Sequence, residues 1–387
     1  MSIRCHWLFL VAILTVISSC RHDEIVVPTE YEPLPGEINK NATIEGMYLV
    51  NEGNMGSNKC SIDFLDFRNG WYERNIYAAR NPHVVKELGD VGNDVQIYGD
   101  KLYIVVNCSN KVEVLNARTG VRVGKVDIPN CRNIRFYRGA AYVSSYVGPV
   151  QLHNPNAVKG AVYRVDTASL SITGRCTVGY QPDELEVLGQ YLYVANSGGY
   201  MAPNYDNTVS VIQLEDFKQV DKIPVAINLS CIRADKYGKL WVTSRGNYAN
   251  IASNIFILKK KSGSNGMAVE KAMDVPCTTM AINGDSLFFI SAQWNEATQT
   301  NSIGYGIINV ATEKVISRNF ITDGTQDNIT IPYGIAVHPE TGDIYVTDAK
   351  NYVSSGTLYC YTREGKLKWK VRTGDIPAHM CFLKKRQ

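Results

Sequence analysis

A chain of 387 residues, 45% hydrophobic and 20% charged, with 40 basic against 37 acidic side chains, carries a formal net charge of only +3. So small an excess leaves no electrostatic footprint for nucleic acid. The length exceeds what one hydrophobic core usually organises, yet no interior stretch reads as a domain linker, so a single large repeat fold is expected.

In chain order, Arg4 precedes an apolar run of eleven residues from Trp7 to Ile17, and Ser18-Ser19-Cys20 follows. A bilayer span needs about 20 apolar residues, so residues 1–19 read as a signal peptide. Ile17-Ser18-Ser19-Cys20 resembles a lipobox, which implies acylation of Cys20 and attachment to a membrane. The following Arg21-His22-Asp23-Glu24 resembles the acidic export signal of Bacteroidetes lipoproteins, which implies an outer-membrane protein facing the cell exterior. Residues 20–46, with Pro28, Pro33 and Pro35 and no apolar periodicity, are expected to form a flexible tether.

From residue 47 to 387 short β-rich phrases recur: MYLVNEG, KLYIVVN, AAYVSSY, YLYVANSG, KLWVTSRG, SLFFISAQ and DIYVTDAK. Their aromatics, Tyr48, Tyr103, Tyr142, Tyr193, Trp241, Phe288 and Tyr345, are 55, 39, 51, 48, 47 and 57 residues apart. Seven such units, each with room for four strands, predict an all-β, seven-bladed β-propeller of four-stranded antiparallel blades. The first unit starts at its second strand, and DIPAHMCFL from Asp375 looks like an innermost strand. The last strand is therefore expected to join the first blade and close the ring.

Of the eight cysteines beyond Cys20, none form a CxxC pair, and Cys131, Cys231 and Cys277 share one repeat position. They read as small buried packing residues more than as bridges.

Within each unit the connection from first to second strand is tight, as at Tyr98-Gly99-Asp100 and Tyr137-Arg138-Gly139. The next connection is long: Ser145 to Gly160, Asn196 to Asn207, Ser244 to Asn254, Ala292 to Gly304 and Asp348 to Gly356. Long loops gather on one face and are where function is expected. They hold Tyr146, Tyr200, Tyr205, Tyr248, Trp294 and Tyr352 with the amides Asn196 and Asn247, a mixture suited to stacking on and hydrogen bonding a flat polar ligand. Asp94, Asn133, Asp183, Thr279 and His379 stand near the starts of inner strands and are expected to ring the channel mouth.

No catalytic residue is assigned: no histidine lies beside a serine or cysteine motif, and no phosphate-cradling glycine loop occurs. No metal ligand set and no cofactor is assigned either. A hydrolase or lyase with a metal at the mouth, and a glycan- or protein-binding adhesion propeller, stay open beside a capture function.

The segments YVANSGG (193–199) and NTVSVIQ (207–213) resemble the YVTN repeat of YncE-like propellers, with weaker copies in the other blades. Together with the lipobox, the chain resembles the BtuG-like, cobalamin-capturing surface lipoproteins of Bacteroidetes. That resemblance implies a corrinoid as bound ligand and a TonB-dependent outer-membrane transporter as partner.

Overall fold

The computed structural model describes residues 28–35, 43–84, 87–154, 156–261, 263, 266–295 and 299–386. Cys20, the signal segment and the acidic pair lie outside them. Alternation of apolar and polar residues gives a strand one buried face, and short strands rich in Val, Ile and aromatics bounded by Gly and Asn turns leave no room for helices. Beyond one turn of helix at Tyr77–Arg80 and a short 3-10 turn at Thr325–Asn328, the described regular elements are strands.

Those strands make seven antiparallel sheets. Blades two to seven take four consecutive strands each, beginning at Gly92, Cys131, Pro182, Leu229, Thr279 and Pro332. Blade one combines Ile44–Asn51, Ser61–Asp66 and Trp71–Arg74 with the C-terminal strand Pro377–Lys384, which pairs with Ile44–Asn51 as its innermost member. The expected closure is thus present, and it removes the edge that an open ring would expose. Glu30–Pro33, inside the segment read as tether, pairs antiparallel with Trp71–Arg74 and gives blade one a fifth, outer strand.

The innermost strands touch in ring order, ending with the C-terminal strand against the inner strands of blades two and seven. Gly334 explains one close approach: a Cβ there would lie 1.9 Å from the carbonyl oxygen of Ala378. The cores lie between blades, one for each neighbouring pair. The seven repeat aromatics are all buried in them. Trp241 also donates its indole N–H to Asp235 Oδ2 at 2.9 Å, as a buried indole must. Cys131, Cys231 and Cys277 are buried in the cores between blades two and three and blades five and six.

The tight first turns occupy one face; at Arg138-Gly139 both residues have positive φ (45° and 79°), the hairpin geometry that glycine favours. The long connections occupy the other. Blade six departs from expectation, because its second and third strands continue as Ser286–Asn295 and Thr300–Asn309, pairing Ala292 with Ile303 and Trp294 with Asn301. What reads as a loop is mostly hairpin. Each strand has ten residues against six in blade four, a projection of roughly 13 Å at about 3.3 Å per residue.

Candidate functional site

A cavity of about 730 Å³ runs along the ring axis and opens on the long-loop face, where Met55, Cys108, Tyr200 and Arg245 line it from the second connections of blades one, two, four and five. Its walls come from the inner strands, and six of the seven blades bulge where the inner strand meets the second near this mouth. Such bulges re-aim side chains without breaking the sheet.

The strand pairing corrects one expectation. Each repeat aromatic has a partner on its inner strand, for example Tyr103 with Gln96, Tyr142 with Arg135 and Tyr193 with Glu186. Two residues before those partners stand Asp94, Asn133 and Glu184, with Thr279 and His379 in blades six and one. The position equivalent to Asp94 and Asn133 in blade four is therefore Glu184, with Asp183 one step along the strand, and both line the cavity.

The carboxylates around the channel are engaged by arginines. Asp94 accepts from Arg135 at 3.0 Å and from the backbone N–H groups of Val95 and Ile134. Glu184 takes Arg233 through both oxygens, and the Ile232 N–H as well. Asp183 lies 2.7 Å from Arg245 Nη2 and 3.5 Å from Arg132 Nη2. Burial works against the charge on Glu184, but Arg233 overrides it and holds the carboxyl down at about 2. Burial likewise opposes the guanidinium charges of Arg233 and Arg245, and Glu184 and Asp183 raise both above the ordinary value. Glu52 and Glu186 go the other way, since desolvation pushes their carboxyls up. His379 Nδ1 lies 3.9 Å from Asp94 Oδ1. With their counter-ions already in place, Asp94, Asp183 and Glu184 are poor seats for a cation, and no group of three potential metal-ligating side chains occurs among the described residues.

The loop residues divide. Tyr200, Tyr248, Trp294 and Tyr352 are 40%, 46%, 40% and 39% exposed. Tyr352 meets Tyr333 edge to face with ring centroids 5.9 Å apart, and the Tyr333 hydroxyl donates to Glu52 Oε2 at 2.9 Å. Tyr205 is half-buried near Tyr248, and burial raises its phenol. Tyr146 is buried, with Tyr200 against its edge (6.4 Å) and the Arg132 guanidinium over its face (4.9 Å), and burial pushes its phenol up to about 12. It supports the mouth from beneath instead of facing solvent. Asn196 is fully buried, its amide tied to the Gly179 N–H, Thr208 and Ser210, so it braces its own blade and cannot meet a ligand. Asn247 folds its loop by accepting from the Ala249 and Ile251 N–H groups.

Sequence reasoning missed Arg132, Arg135, Arg233 and Arg245. Arg135 and Arg233 do carry a signal: each follows an isoleucine at the repeat phase that faces the aromatic. Arg245 carries none, because it depends on how its loop turns back.

The sequence profile of the domain of unknown function family DUF5074 matches residues 45–378, nearly the whole ring. The chain belongs to this family. No curated protein matches the sequence. Among solved structures, this DUF5074 propeller is similar to the periplasmic gluconolactonase PpgL of Pseudomonas aeruginosa, with 12% identity and a TM-score of 0.61 over 88% of this chain and 99% of that one. It is also similar to hydrazine synthase of Kuenenia stuttgartiensis (16% identity, TM-score 0.58, 74% and 88% covered). A third likeness is to a quinonprotein alcohol dehydrogenase-like protein of Bacteroides thetaiotaomicron (13% identity, TM-score 0.56, 88% and 78% covered). At these identities the likeness is one of fold, which hosts many unrelated functions.

Proposed function

We propose that this DUF5074 propeller is a surface lipoprotein, anchored to the outer membrane through Cys20, that captures corrinoids on its long-loop face and delivers them to a TonB-dependent transporter. The observation that carries the capture reading is the mouth itself: a polar cavity lined by Tyr200, with the exposed rings of Tyr248, Trp294 and Tyr352 on other long connections of the same face. Exposed aromatics gathered on one face mark binding surfaces. A corrinoid offers apolar macrocycle faces to such rings and an amide fringe to polar walls, and a cavity of about 730 Å³ falls within the usual range of ligand sites. The resemblance to BtuG-like lipoproteins supports the ligand, the lipid anchor and the transporter.

A metal-dependent hydrolase finds less support, because its expected carboxylates are held by arginines. The test is retention of colour. Detergent-solubilised protein is mixed with cyanocobalamin and desalted, and its visible spectrum is recorded. A coloured protein fraction is expected; a colourless one at micromolar concentration refutes the corrinoid reading, and glycan-array binding by the same sample would favour adhesion.

A further inference from the structure

Beneath the rings, the wall of the mouth holds cationic groups whose hydrogen-bonding capacity the protein leaves partly unused. Arg132, on the inner strand of blade three, and Arg245, in the loop after the second strand of blade five, converge on the single carboxylate of Asp183. Arg132 reaches Asn93 Oδ1 through Nη1 at 3.1 Å, while its Nε is buried and has no acceptor. Arg245 engages Asp183 through Nη2 alone among the described residues. Asn133, also lining the cavity, is only 3% exposed, and its Oδ1 has no donor.

An unsatisfied buried polar atom costs about 1–3 kcal/mol. Two such atoms, Arg132 Nε and Asn133 Oδ1, at one opening beside the part-exposed guanidinium of Arg245 call for an explanation, and a ligand that completes them supplies one. Glu52, another acid at this level, is occupied by Tyr333 and is kept toward its neutral form by burial. Deeper in the channel the pattern differs: Arg135 has Asp94 at 3.0 Å and Glu186 at 3.9 Å, and Arg233 has both oxygens of Glu184. The spare donors therefore sit at the mouth.

We propose that Arg132 and Arg245 form an oxyanion subsite, which takes the phosphodiester or carboxylate of a ligand seated on the long-loop face while Asn133 accepts a hydrogen bond from the same ligand. Guanidinium forks match such oxygens in geometry and charge. The inference rests on the capture reading for its place in the molecule and deepens it, because a corrinoid with a complete nucleotide tail carries one phosphodiester.

The test uses detergent-solubilised full-length protein and the 31P linewidth of dimethyl phosphate, with neutral trimethyl phosphate in the same sample. Selective broadening of dimethyl phosphate is expected, falling to the level of the neutral ester in Arg245→Gln and in Arg132→Gln. An unchanged melting temperature shows that the variants fold, and Arg363→Gln, on a surface turn, serves as the control that keeps the broadening. Reversal by acetate assigns the subsite to oxyanions generally; resistance to acetate assigns it to phosphodiesters. Equal linewidths for the two esters, or broadening untouched in folded variants, overturns the proposal. Saturating cyanocobalamin should abolish the broadening. If broadening follows the arginines yet ignores cyanocobalamin, the subsite stands and the corrinoid reading falls.

Discussion

Glu184→Gln probes the charge network of the channel wall. Glu184 reaches from the inner strand of blade four to Arg233 and the Ile232 N–H of blade five, and both partners of the ion pair are largely shielded from water. Its carboxyl is held at about 2 against an ordinary 4.5. At about 1.4 kcal/mol per pKa unit, that depression corresponds to about 3 kcal/mol of stability. Stranding a buried charge by removing its partner costs about 3–5 kcal/mol in other proteins, which agrees. Because the folded pKa lies below the unfolded one, the contribution is complete above the unfolded value and is lost as pH falls through the folded one. Urea unfolding followed by tryptophan fluorescence should show the variant about 3 kcal/mol less stable at pH 7, with the gap roughly halved near pH 3. A gap below about 1 kcal/mol at pH 7, or one that does not change with pH, would show that Glu184 and Arg233 do not stabilise the fold through their charges.

Three further outcomes follow from packing and exposure. Trp241→Ala, in a fully buried inter-blade site, should lower stability by roughly 3–5 kcal/mol in the same urea assay, whereas Trp294→Ala on the projecting hairpin should change it by less than about 0.5 kcal/mol. Gly334→Ala forces the inner strands of blades seven and one apart, and calorimetry should register a loss of about 1–3 kcal/mol or more. Tyr200→Ala should leave the melting temperature in place but weaken corrinoid binding by about tenfold, the loss of about 1.4 kcal/mol expected for one stacking ring.

The ring is legible in the sequence because its cores repeat. Tyr48, Tyr103, Tyr142, Tyr193, Trp241, Phe288 and Tyr345 recur at blade intervals, since each must fill the gap between two blades. The closing strand is legible for a similar reason: Pro377–Lys384 carries an inner-strand pattern that blade one lacks at its start. The site is less so. Asp183 is named where Glu184 stands in the ring, although the spacing carries the answer: Asp94, Asn133, Glu184 and Thr279 each precede their aromatic by nine residues, and the pairing of Glu186 with Tyr193 agrees. Tyr146 and Asn196 share the composition of exposed loop residues, yet one lies under Tyr200 and Arg132 and the other ties its blade together. Arg132 and Arg245 come together across three blades around Asp183, and contacts of that range leave no spacing to read.

The most direct test of the capture claim is a fluorescence titration of the solubilised protein with cyanocobalamin, whose near-ultraviolet absorption overlaps indole emission and so quenches a nearby tryptophan such as Trp294. Saturable quenching with one ligand per propeller, weakened in Tyr200→Ala, is expected. Quenching that rises linearly without saturation, or that is identical in wild type and Tyr200→Ala, would contradict it.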